Sequence, residues 1–281
     1  MFSFDKLNRA IGGGEDVPAI AEVMVSRWAF EGLMVDQFMN NPFEKELFEI
    51  EKKESMASFK QAYYIPKLQE LLEECIELKN TPSDSSNLLI DDKLKTITNE
   101  LNLEQAEIKR ITFSHNPKLT HSNFNDSEID NVRVTLENLT AYYTEIFNVV
   151  NGKKMLAMQQ LQKSPEAQKA FIQAKDDYTN EYLNELVTKS VEKNKIIVKD
   201  NYLIQKKDPI FKDSKTNGFF RTHFFAPNKP IFGKLYDSFG FNILVIWIFS
   251  GILYATLYYD GLKKGITYIS GISFKFKLKK S

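Results

Sequence analysis

The segment FGFNILVIWIFSGILYATLYY, Phe239 to Tyr259, limits what this chain can become more than any other stretch. Its 21 residues carry no charge, and only Asn242, Ser250 and Thr256 have clearly polar side chains. At 1.5 Å per residue, a helix of this length spans roughly 31 Å, about the thickness of a bilayer's hydrocarbon core. Asp237 and Asp260 bracket it. Tyr236, Phe239 and Phe241 at one end, and Tyr254, Tyr258 and Tyr259 at the other, put rings where headgroups would lie. A buried core helix can be this apolar, but rarely over this length. The segment predicts a transmembrane helix.

Charge around it sets an expected orientation. Lys263, Lys264, Lys275, Lys277, Lys279 and Lys280 follow the span, whereas Arg221, Lys229 and Lys234 are the basic residues of the comparable stretch before it. Lysine and arginine prefer the cytoplasmic flank, which puts the C-terminus in the cytoplasm and the upstream body outside. That body would need an export signal or an earlier span. The opening MFSFDKLNRAIGGGEDVP has neither a basic start nor a continuous apolar run. A tail-anchored protein with a cytosolic body is one resolution; the C-terminal part of a longer polytopic chain is another.

The remaining composition mostly excludes. Lys plus Arg equals Asp plus Glu at 37 each, so no net field argues for a nucleic-acid partner. Cys75 is the only cysteine and lies on an apolar stripe with Leu68, Leu71, Leu72 and Leu78, as a packing thiol would. The run Gly12 to Gly14 lacks the Gly-Lys-Ser/Thr of a phosphate loop and reads as a turn. His115, His121 and His223 match no zinc spacing and read as surface histidines. No nucleophile, base and orienting group stand together, so no catalytic, cofactor or metal residue is expected.

The middle of the chain reads as helical. A Glu- and Lys-rich helix is expected from Phe43 to about Lys79, broken or kinked at Pro66. NTPSDSSN is a loop by composition, shorter helices are expected over 88–100 and 103–111, and SHNPKLTHSNFND is irregular. Val132, Leu136, Leu139, Tyr143, Ile146 and Val150 form a coiled-coil-like seam. Ser164-Pro165 marks the cap and first turn of a further helix, and the two together suggest an antiparallel hairpin. Residues 218–242, aromatic and interrupted by Pro227 and Pro230, read as extended chain at the membrane surface.

The opening helix, SRWAFEGLMVDQF, is harder to place. Ser26 is its candidate cap, Arg27 lies four residues before Glu31, and apolar side chains surround it: Phe30, Leu33, Met34 and Phe38 on one side, Trp28 and Val35 on the other. At 100° per residue that leaves water no face to wet.

This stretch, with the following NNPF, resembles the segment after the fifth span of type-2 ABC exporter permeases of the G-subfamily. Ser26, Arg27, Trp28, Phe30 and Glu31 carry the resemblance. The preceding MFSFDKLNRAIGGGEDVPAIAEVM is similar to the outer lead-in of large Bacteroidetes members. The resemblance implies a structural role for these residues in short helices dipping back towards the outer leaflet. It also implies export of a hydrophobic or lipid-like substrate, with ATP and Mg bound only by a nucleotide-binding domain outside this chain. The stretch between motif and last span, about 195 residues, is longer than the family's usual external loop and lacks its cysteines.

The resulting expectation is an all-α chain of four parts: membrane-proximal and re-entrant helices over 1–42, a helical extracytoplasmic domain over 43–230, the last span with its lead-in over 231–259, and a basic cytoplasmic tail over 260–281. It would be a C-terminal fragment of a bacterial inner-membrane exporter. Its expected partners are the lipid bilayer, the upstream spans and ATP-binding domain, and a second copy in a dimer. The alternative is a single-pass, membrane-anchored helical interaction protein.

Overall fold

The computed structural model describes residues 17–80, 83–216 and 219–260, together with Thr267. Gly12 to Gly14 and the lysines of the basic tail lie outside the described residues.

The seam read from 132 onward organises the body. Val132, Leu136, Leu139, Tyr143 and Val150 are all buried on α6 (Asp126–Leu161), which runs unbroken through Asn151-Gly152. Against it pack α3 (Phe48–Phe59) and α4 (Ile65–Lys79), with α5 (Asp84–Glu107) on the far side of α4. Leu68, Leu72, Cys75, Leu94, Ile97 and Leu101 complete this core. Each such aliphatic side chain removed from water contributes about 1.5–3 kcal/mol. One π-helical segment, Lys60–Tyr64, carries α3 into α4 without a break, and Pro66, which has no N–H to give to the preceding turn, follows directly at the second position of α4.

Caps fix the boundaries of the later helices. Ser83 accepts from Ser86 N–H at the head of α5, and Asn125 from Glu128 N–H at α6. Ser164 accepts from Ala167 N–H ahead of α7 (Pro165–Tyr178), and Asn180 from Leu183 N–H ahead of α8 (Glu181–Thr188). These satisfy donors that each helix start leaves open. α7 follows α6 directly but buries none of its own residues, whereas α6 spends its buried stripe on α3 and α4.

A second, smaller core joins α2 (Val25–Met39) to the body: Val35, Phe38, Phe48, Leu183, Val187, Ile210 and Phe225. A four-residue α1 (Ala19–Glu22) precedes α2. α9 (Ser238–Tyr258) lies within one residue of the predicted span at each end, and only 6% of its most apolar window is buried.

Several expectations are corrected. The chain is mostly helical rather than purely so. β1 (Ile196–Lys199) pairs antiparallel with β2 (Tyr202–Gln205), and β3 (Asn228–Ile231) with β4 (Lys234–Asp237). Four-residue strands leave too short a period for sequence patterning to register. The stretch 218–242 is not simply extended surface chain, because Phe225, Ala226 and Lys229 are buried in it. α5 is continuous where two helices were expected, and α3 begins at Phe48 because residues 42–47 form turns. His115 and His223 are buried, the latter donating from Nε2 to the Pro209 carbonyl at 2.8 Å.

Candidate functional site

The described chain gathers its most unusual chemistry where α2 crosses the head of α9. Helical spacing puts Arg27 and Glu31 on one face of α2, and that face turns inward: Arg27, Trp28, Glu31 and Gly32 are buried while Leu33 is 57% exposed. The all-round apolar character seen in the sequence is therefore resolved inside out. Charged groups go in, and some of the apolar ones stay out.

Four elements supply the cluster. Lys229 of β3 has no exposed surface; its Nζ donates to Glu31 Oε1 at 2.7 Å and to Thr222 Oγ1 at 2.6 Å. Arg27 lies 3.5 Å from Glu31 Oε2 and 3.0 Å from Glu22 Oε2, with its guanidinium 3.9 Å from the Trp28 ring centre. Asn242 of α9 donates from Nδ2 to the Trp28 carbonyl at 3.1 Å and to Glu31 Oε2 at 3.4 Å. Trp28 Nε1 donates to the Glu22 carbonyl at 2.8 Å.

Two cations thus face two carboxylates, and the cluster is formally neutral. Neutrality matters because an uncompensated charge taken out of water costs several kcal/mol. Burial pulls the Lys229 ammonium below the ordinary lysine range, with Glu31 opposing that shift, and burial raises the Glu22 carboxyl. The Arg27–Glu22 contact is close enough to be ionic but poorly aligned for hydrogen bonding. Among the described residues, Arg27's nitrogens, both Glu22 carboxylate oxygens and Asn242 Oδ1 have no aligned partner.

Close approach of the two helices depends on Gly32. A Cβ there would stand 3.2 Å from Asn242 Cβ and 3.3 Å from its Nδ2, so a methyl needs Asn242 to give by a few tenths of an ångström and a larger side chain would push α2 away from α9. Trp28 also packs on Phe241, ring centres 5.8 Å apart. Phe30, on the adjacent side, stacks against Phe224 at 6.3 Å. Asp237 caps α9 by accepting from Gly240 N–H at 2.9 Å.

Of the residues singled out from sequence, the structure brings Arg27, Trp28 and Glu31 together, sets Phe30 beside them, and leaves Ser26 exposed. Met24, not Ser26, occupies the N-cap position. Phe239 and Tyr259 lie at the ends of α9. Sequence reasoning missed Glu22, Thr222, Lys229 and Asn242. One signal was present for Asn242: an amide inside an apolar span is costly unless it has a partner.

A second buried polar network lies in the body core, at the π-helical segment. Lys60 pairs with Glu104 and sits 3.6 Å from the Tyr64 ring centre, while Tyr143 OH donates to Glu104. Glu100 accepts from Tyr64 OH at 2.9 Å and from Leu203 N–H at 2.7 Å, tying β2 to α5. Burial raises the Glu100 carboxyl and both tyrosines, so the phenols remain donors. The surface depression lined by Arg110, Thr112, Asn138, Tyr142 and Glu145 is already tied internally, by Asn138 to the Thr112 carbonyl and by Arg110 to Glu145.

Neither network sets a nucleophile beside a base and a binding cavity, and no His, Cys, Asp and Glu group suited to a metal is found among the described residues. The arrangement at α2 and α9 is a fastening. Comparison with family models, curated proteins and solved structures returns no match for this chain.

Proposed function

We propose that the chain is the C-terminal part of the permease of an ATP-driven exporter, with α9 as its last transmembrane helix and α2 as a re-entrant helix beside it. One observation carries the reading: the residues of the family-like motif, Arg27, Trp28 and Glu31, lie on the face of α2 that is fastened to α9 through Asn242. Away from α2, α9 is bare. Trp247, Ile252, Tyr254 and Leu257 are more than half exposed and apolar, a surface suited to lipid and to neighbouring helices.

In this reading, residues 43–230 form the extracytoplasmic domain, the tail after Tyr259 is cytoplasmic in a bacterial inner membrane, and two copies assemble with nucleotide-binding domains that supply ATP hydrolysis. The continuous α6, followed by α7 after the Ser164-Pro165 start, would supply the long helical hairpin of that outer domain. Ile20, Val23 and Met24, exposed on and just after α1, suit the same interfacial depth.

The test uses native membranes. Expressed from its natural reading frame, the protein should resist alkaline carbonate extraction and should purify in mild detergent with a nucleotide-binding, ATP-hydrolysing component. Release by carbonate overturns the membrane reading. Resistance without any ATP-binding component overturns the exporter and leaves a single-pass anchored interaction protein.

A further inference from the structure

The two β-hairpins of this chain turn in the same way but are built from very different residues. Both use two-residue turns with positive φ at each position, the geometry that follows the natural twist of paired strands. Between β1 and β2 the turn is Asp200-Asn201, at φ 51° and 60°, residues whose short polar side chains tolerate the left-handed region. Between β3 and β4 it is Phe232-Gly233, at φ 48° and 77°. Gly233 suits its place. Phe232 does not, since a bulky side chain in the left-handed region is strained.

Phe232 is also 89% exposed, so the strain is not offset by burial within the described chain. Among the described residues its ring meets Phe219, 60% exposed, with centres 5.9 Å apart. The pair forms an aromatic knob at the hairpin tip, beside the exposed Lys234. An exposed residue that is conformationally costly and solvated at a loss points to something outside the chain that covers it.

The occupant follows from where the hairpin is rooted. β4 runs straight into α9, and Asn228 pairs with Asp237, the cap of that helix. Ser238 closes the root by donating from N–H to the Pro227 carbonyl at 3.2 Å and from Oγ to the Ala226 carbonyl at 2.6 Å. Lys229, in the middle of β3, is locked to Glu31. The root of the hairpin is therefore tied to the head of α9, and its tip lies no farther from that point than the roughly 20 Å that six extended residues can reach. Aromatic rings with a nearby lysine are the side chains favoured at the headgroup level of a bilayer.

We propose that the β3–β4 hairpin is a membrane-interface anchor, with Phe219 and Phe232 bedded in the headgroup layer beside α9. The proposal rests on the reading of α9 as a transmembrane helix and adds a second, peripheral contact with the same leaflet. By bracing the span from the side, it would set the tilt at which the body stands on the membrane.

Tryptophan fluorescence of the full chain in phosphatidylcholine vesicles tests it, because Trp28 and Trp247 are the two tryptophans and Trp28 is buried. Vesicles carry lipid brominated near the terminal methyl of the acyl chain or, separately, near its headgroup end, or iodide is added to the water. In the unaltered protein, Trp247, at the middle of α9, should be quenched by the deep-brominated lipid, which reports the span. In Trp247→Phe, only the buried Trp28 baseline should remain. In Trp247→Phe with Phe232→Trp, the new indole should lose emission to the shallow-brominated lipid more than to the deep one, and little to iodide. An indole at 232 quenched by iodide and not by lipid, while Trp247 still responds to lipid, overturns the anchor alone. One shielded from both quenchers means a protein surface covers the knob and also overturns it. Failure of Trp247 to respond to lipid overturns the span and the anchor together.

Discussion

Lys229 and Glu31 are 198 residues apart in sequence and 2.7 Å apart in space, and neither has any exposed side-chain surface. That single contact joins the second hairpin to α2, and α2 in turn is fastened to α9 through Asn242. The root of α9 is thus held by charge pairing.

Removing one partner should be far worse than removing both. Lys229→Met leaves Glu31 with Arg27 at 3.5 Å and the Asn242 amide at 3.4 Å but without its closest cation, and breaking a buried pair in this way costs about 3–5 kcal/mol. The double variant Lys229→Met with Glu31→Gln should recover much of that loss, because no orphan charge then remains. Thermal unfolding of the full chain in detergent micelles measures both, and equal losses in the two would show the pair to be uncoupled.

Gly32 should tolerate one methyl and no more. Gly32→Ala adds helix propensity worth about 1 kcal/mol, set against a Cβ contact of 3.2 Å with Asn242, so stability should stay near the starting value. Gly32→Leu has no such room and should cost about 1–3 kcal/mol by forcing the helices apart. A disulfide engineered between α2 and α9 should form in the alanine variant and fail in the leucine variant.

His115 should make the body acid-sensitive. Burial holds its folded pKa below the ordinary 6.5, so the unfolded chain binds more protons in that range. Its contribution is complete above about pH 6.5 and is lost as pH falls through the lowered folded value. His115→Gln should flatten this part of the denaturant-midpoint profile between pH 7.5 and pH 5.

Glu44 should act with the opposite sign. Burial and the neighbouring Glu51 carboxyl push its carboxyl up to about 9, so the folded chain holds a proton that the unfolded chain has lost above about 4.5. Stability from this site is full at low pH and declines as pH rises from 4.5 to about 9. Glu44→Gln should remove that decline, which denaturant midpoints at pH 6 and pH 9 would reveal.

Cys75, buried among Leu68, Leu71 and Leu72 with its thiol pushed up to about 12, should be inert to disulfide-exchange reagents in the folded protein. Its reaction rate should rise to that of a free thiol only with global unfolding in denaturant.

Much of the body was legible from neighbouring residues. The α6 seam, the Ser164-Pro165 start of α7 and the apolar run of α9 each depend on periodicity or capping within a few positions, so reading along the chain suffices. The role of Arg27 and Glu31 was not legible in this way. Their spacing showed that they share a helix face, but not which way that face turns, because the answer depends on Lys229 and Asn242 more than 190 residues downstream. The short hairpins were hidden for a related reason: strands of four residues hold too little pattern, and their pairing is decided by packing on α5 and by the root of α9.

By itself, then, the sequence determined which segments are helical and that one of them matches the thickness of a membrane, since both follow from local propensity and the hydrophobic pattern. Tertiary structure alone decided that four charges would be buried at the head of that helix. Burying a charge is tolerable only when its counter-charge arrives at the same point, and chain folding, not chain order, brings them there.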